Sequence, residues 1–132
     1  MSFAPRPMLA AAAALAALSF ASPALADIGG EWHVTGQLAG RNFVVDCRFD
    51  PKGGQLGGQC VSLSTGDDKV KAGKVYKLSK GAVNGNQVAW TYATSVLFMS
   101  VDIDYAGTMT GDRMSGTVSA AGRKGNFAAV RK

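Results

Sequence analysis

The chain has 132 residues, 14 Lys+Arg against 9 Asp+Glu, and a formal net charge of +5. That bias is mild and contains no basic run, which argues against a nucleic-acid binder and leaves anionic ligands or surfaces open. Glycine is frequent (17), proline rare (4), and there are two cysteines and a single histidine. These numbers exclude a multi-cysteine scaffold, and two cysteines without nearby histidines exclude a plausible zinc site.

At the start, Arg6 precedes an apolar run from Met8 to Phe20, and Ala24-Leu25-Ala26 has the small-residue pattern of a signal-peptidase site. The run is too short to cross a bilayer, which takes about 20 residues. Residues 1–26 therefore read as an export signal rather than a stable membrane anchor, and no cysteine stands at the cleavage point to take a lipid. Residues 27–132 form one small domain expected in the periplasm or outside the cell. Export into an oxidising compartment favours a Cys47–Cys60 disulfide over two buried thiols.

From Glu31 onward apolar residues alternate with polar ones, the period of half-buried antiparallel strands. The first strand, Glu31 to Leu38, puts Trp32, Val34, Gly36 and Leu38 on one face. A turn at Ala39-Gly40 returns the chain into Arg41 to Phe49, whose inner face is Phe43, Val45, Cys47 and Phe49. Counting from that turn sets Gly36 opposite Phe43 and Trp32 opposite Cys47, all inward, so register and pattern agree. Counting from Gly53-Gly54 pairs Phe49 with Gly58 and Cys47 with Cys60, a geometry suited to a disulfide.

The third strand ends near Leu63, and Ser64 to Lys69 is a polar loop. The fourth, Val70 to Val83, is irregular: Tyr76 and Leu78 are out of phase with Val83, and a bulge near Gly81 would reconcile them. Asn84-Gly85-Asn86 marks a hairpin, followed by a strand with Val88, Trp90 and Tyr92 on one face. Ala93 to Val96 is expected to connect it to Leu97–Met109, which turns Val101, Ile103, Tyr105, Gly107 and Met109 inward. Gly111-Asp112 leads to a strand with Met114, Gly116, Val118 and Ala120 inside. After Ala121 to Lys124 the last strand, Gly125 to Arg131, points Phe127, Ala129 and Arg131 inward. The similarity of 53–60 to 111–118, with Gly85-Asn86-Gln87-Val88 beginning the same way, is a repeat of hairpins and not a phosphate loop, since no helix follows.

Eight hairpin-linked strands leave two sheet edges, and closing the last strand onto the first removes both. The expected fold is therefore an all-β, eight-stranded up-and-down antiparallel barrel. Its Trp32/Arg131 end would be plugged, and its other end, with longer connections, would be the mouth. Gly30-x-Trp32 on the first strand and an inward Arg131 on the last resemble the calycin superfamily of lipocalins, fatty-acid-binding proteins and avidins. That resemblance implies a tryptophan plug with a basic residue packed across it. Size and glycine content look most like avidins, but Val34 stands where their pattern has a polar biotin contact, so biotin is disfavoured. Periplasmic inhibitors of secreted proteases are a second similar group. Here only Asp27-Ile28-Gly29 precede Gly30, a short tail for such an inhibitor.

No catalytic constellation is visible. His33 lies outside, opposite Asp46, as an exposed cross-strand pair, and Asp102, Asp104, Asp67 and Asp68 read as solvated charge. No cofactor is implied, and the chain reads as a non-enzyme. Candidate ligand contacts are Phe43, Trp90, Tyr92, Tyr105 and Phe127 in the interior, Leu97, Phe98 and Met99 near the mouth, and Arg41 and Arg123 at its rim. Lys69, Lys71 and Lys124 join that rim, offset in part by Asp67 and Asp68. An apolar lining beneath a basic rim suits a small apolar or anionic amphiphilic ligand; the rival is a protein-interaction module that binds a secreted enzyme.

Overall fold

The computed structural model describes residues 27–65 and 71–132; the export-signal expectation falls outside them, as do Asp67, Asp68 and Lys69. Eight strands follow one another: β1 Gly30–Leu38, β2 Arg41–Lys52, β3 Gln55–Ser62, β4 Val75–Asn84, β5 Gln87–Val96, β6 Met99–Thr110, β7 Arg113–Ala120 and β8 Arg123–Arg131. Each pairs with the next, and β8 closes onto β1, making a closed antiparallel barrel. Among the described residues no helix is long and apolar enough to cross a membrane.

The registers follow the alternation. Trp32 lies opposite Cys47, Gly36 opposite Phe43, Cys47 opposite Cys60, Phe49 opposite Gly58, and Trp32 opposite Arg131. The Cys47–Cys60 disulfide ties β2 to β3. Inward glycines make room for aromatic rings: a Cβ on Gly36 would run into the ring of Phe43. Gly58 sits at φ +128°, and its Cβ would strike the Arg48 carbonyl, so the bent strand requires glycine there.

Two connections and one strand differ from expectation. Ala93–Val96 is the end of β5 rather than a loop, and the turn falls on Leu97-Phe98. Leu97-Phe98-Met99 read as the start of a strand, yet Leu97 and Phe98 take left-handed backbone. Residues 121–124 do not form a loop either: β8 begins at Arg123, leaving a two-residue turn at Ala121-Gly122. In β4 the expected irregularity is present, but the pairing with β5 shifts between Leu78 and Lys80, two residues before Gly81. Ser79 is the extra residue, and its hydroxyl donates to the Thr91 carbonyl at 3.1 Å. That shift lets Tyr76 and Leu78 share the inner side with Gly81 and Val83. The fourth strand also starts later than expected, at Val75.

Candidate functional site

The two barrel ends are built differently. At the closed end Trp32 is fully buried beside Ile28, and its Nε1 donates to the Ile28 carbonyl at 2.9 Å. The Arg131 guanidinium lies 4.5 Å from the Trp32 ring centroid. It donates through Nε to Asp112 Oδ1 at 2.9 Å, through Nη1 to the Gly29 carbonyl at 2.8 Å, and through Nη2 to the Asp27 carbonyl. A cation–π contact of this kind is worth about 0.5–2 kcal/mol.

The turns also differ. At the closed end Gly53, Gly85 and Gly111 lead the three turns with φ near 63–65°, and no non-glycine there has positive φ, the sign pattern of type II′. At the open end Ala39-Gly40, Leu97-Phe98 and Ala121-Gly122 have positive φ at both positions, the sign pattern of type I′. The open end is thus three tight turns and one long connection, not the set of loose loops the residue pattern implied. Leu97-Phe98 is the exception in composition, since left-handed backbone costs a bulky residue about 1–2 kcal/mol each.

Beneath the open end is a cavity of about 300 Å³, whose lining includes Leu38, Arg41, Phe43, Val45, Ser62, Tyr76, Tyr92, Val96, Ile103 and Tyr105. That is roughly ten water-sized volumes at about 30 Å³ each, at the small end of ligand pockets. Its floor is aromatic. Tyr76 stacks on Tyr92 at 4.8 Å, Tyr92 tilts against Tyr105 at 5.6 Å, and Phe43 meets Tyr105 edge-on at 6.0 Å. Below, Trp90 stacks on Tyr105 at 4.7 Å, with Phe127 edge-on to both rings and Phe49 tilted against Trp90. The lower rings fill the barrel; the upper ones leave space.

Polar groups on the lining are few. Ser62 Oγ donates to the Lys71 carbonyl at 2.6 Å and accepts from the Lys74 N–H at 3.0 Å, which pins the long connection to the barrel wall. The Tyr92 and Tyr105 hydroxyls are 2.7 Å apart. One donates to the other, so the pair keeps one phenolic proton uncommitted among the described residues. Burial pushes the Tyr92 phenol up to about 12, against the opposing hydrogen bond from Tyr105. Burial, reinforced by the neighbouring Tyr92, also raises Tyr105 well above the usual phenol range. Both therefore stay neutral, and Arg41, exposed on the wall, is the charged side chain of the lining. It makes no ion pair among the described residues.

Of the expected contacts, Phe43, Tyr92, Tyr105 and Arg41 are brought together on this cavity. Trp90 and Phe127 are buried in the packed layer and do not line it. The Trp90 Nε1–H meets no acceptor there among the described residues. Leu97, Phe98 and Met99 stand out from the barrel at its tip, and Arg123 lies on the rim beside the Ala121-Gly122 turn; none of these lines the cavity. Sequence reasoning missed Leu38, Asn42, Val44, Val45, Ser62, Tyr76, Val96 and Ile103 as lining residues. Ser62 was legible as the inward position two beyond Cys60, whereas Tyr76 was obscured by the Ser79 bulge.

On the outer wall His33 Nδ1 is 2.7 Å from Asp46 Oδ1, and Lys132 Nζ donates to Asp46 Oδ2 at 2.8 Å. Partial burial opposes ionisation of Asp46, but the hydrogen bonds from Lys132 and His33 outweigh it and hold the carboxyl below its ordinary 3.8. The arrangement is a surface cluster in which Asp46 is hydrogen-bonded to His33 and ion-paired with Lys132.

No protein-family model and no curated protein matches the chain. Among solved structures it is similar to a redesigned β-barrel, mFAP1, bound to DFHBI, with a TM-score of 0.58 and 14% identity, over 84% of this chain and 100% of that one. At that identity the likeness concerns the fold alone.

Proposed function

We propose that the chain is an exported, non-enzymatic barrel that takes a small anionic amphiphile into its open end. The observation that carries this reading is the cavity of about 300 Å³ with a neutral aromatic floor and Arg41 as its charged wall residue. An ionised head would lose its hydration among the neutral tyrosines, so it stays with Arg41 at the rim. The tail then packs on Phe43, Tyr76 and Ile103. The uncommitted phenolic proton accommodates one polar atom along the tail. Support for export comes from the Met8–Phe20 run and the disulfide. The similar designed barrel, which is bound to DFHBI, supports the capacity of this architecture to hold a small molecule.

The test is a calorimetric titration with decanoate and with decanol, alongside native mass spectrometry of protein purified from its own host. Decanoate is expected to bind one to one. Ile103→Trp, which fills the cavity, abolishes binding of both compounds, and Arg41→Gln weakens decanoate a few-fold while sparing decanol. Failure of the wild type to take up either compound, or undiminished binding by Ile103→Trp, would overturn the reading.

A further inference from the structure

The β5–β6 turn presents four consecutive apolar side chains to solvent: Val96 is 50% exposed, Leu97 86%, Phe98 105% and Met99 67%. The two most exposed hold left-handed backbone, with φ of 51° and 70°. The other two-residue turns at this end meet the same demand with Ala-Gly. Leu-Phe therefore opposes the local backbone preference and gains no burial within the barrel, a conflict expected where a residue acts outside the fold.

The surroundings indicate what it meets. Arg41, Lys71, Lys74, Arg123 and Lys124 flank the turns and the long connection of the same end. Of the described acids, Asp27, Glu31, Asp50 and Asp112 lie toward the closed end by topology. Asp46 is held by His33 and Lys132, and Asp104 accepts from the Thr91 hydroxyl at 2.6 Å. Asp102, three residues past Met99, is the acid nearest the tip along the chain. A projecting apolar tip at the barrel end that carries these five cations, offset in part in the sequence by Asp67 and Asp68, complements an anionic bilayer, whose headgroups pair with the cations while the tip enters the acyl boundary.

We infer that the Leu97-Phe98 turn is a membrane-docking tip that seats the open end on an anionic lipid surface. The contact is reversible, and it stands whether or not the cavity binds an amphiphile. Docked in this way, the mouth faces the bilayer, and a ligand can pass between lipid and barrel with little exposure to water.

The protein purified from its host is floated with vesicles of phosphatidylcholine alone and of phosphatidylcholine with phosphatidylglycerol in equal parts. It is expected to float with the anionic vesicles and to remain largely in solution with the neutral ones. Leu97→Asn with Phe98→Gly installs a turn pair suited to positive φ, so the variant keeps or raises its melting temperature. Its vesicle partitioning falls by about tenfold or more. Arg123→Gln with Lys124→Gln weakens anionic binding roughly fivefold for each charge removed. Ile103→Trp keeps full vesicle binding, which separates failure of the cavity reading from failure of this one. Wild-type indifference to lipid charge, or undiminished binding by the turn variant, would overturn the inference. So would sedimentation showing a dimer that the turn variant abolishes, because the tip would then cover a second copy.

Discussion

The closed and open ends use the same hairpin architecture for opposite purposes. At the closed end the polar groups of the plug have partners: Trp32 with Ile28, and Arg131 with Asp112, Gly29 and Asp27. At the open end three of the four connections are as short, but a cavity lies beneath them, and a bulky apolar pair occupies backbone better suited to glycine. A small barrel needs one end satisfied to hold its shape, and unsatisfied features can then be carried at the other. The proposed docking tip rests on that local conflict and not on any motif.

The largest effect should come from the plug. Trp32→Ala removes a fully buried ring and is expected to cost about 3–5 kcal/mol in urea unfolding; a cost no greater than that of a surface substitution would erase the distinction between the ends. Replacing Cys47 and Cys60 together by serine should cost about 3 kcal/mol in the chain-entropy model, measured the same way. At the open end the tyrosine pair gives an alkaline signature. The Tyr92 phenol is raised to about 12 in the fold, so the unfolded chain releases its proton first. Stability is therefore intact below the ordinary value of 10 and falls as pH rises through about 12. The phenolate absorbance of Tyr92 and Tyr105 should rise together with loss of structure and not ahead of it.

The smallest effect belongs to the outer wall. Asp46 is lowered from 3.8, so its contribution is present above that value and disappears as pH falls through the lower folded one. Asp46→Asn should remove this acid dependence while changing stability at neutral pH by less than about 1 kcal/mol.

The strand registers were legible because period-two alternation and glycine-led turns count off one another. Cys47 against Cys60 and Trp32 against Arg131 both follow from counting. That Val96-Leu97-Phe98-Met99 exposes apolar surface near the mouth was legible, since strict alternation must turn one member outward, but its turn was hidden because the run has the composition of a strand and none of the usual turn residues, so it was divided between a loop and a strand. The bulge was expected near Gly81, but a glycine's proximity does not say which neighbour loses its pairing, and Ser79 does. The interior candidates Phe43, Trp90, Tyr92, Tyr105 and Phe127 were chosen as inward residues, and alternation gives direction but not depth. Stacking of Trp90 on Tyr105 and the edge contacts of Phe127 fill the lower barrel and leave the cavity to Phe43, Tyr76, Tyr92 and Tyr105. That division depends on how rings of particular size meet, which alternation does not encode.

The central claim is that the open end acts on other molecules while the closed end holds the fold together. Backbone amide resonances followed during a decanoate titration test it most directly. The account predicts shifts confined to Leu38–Val45, Tyr76, Tyr92–Val96 and Ile103–Tyr105, with Gly53-Gly54, Gly85-Asn86 and Gly111-Asp112 unmoved. Shifts centred on the closed-end turns or around Trp32 and Arg131, or no shifts at all, would contradict it.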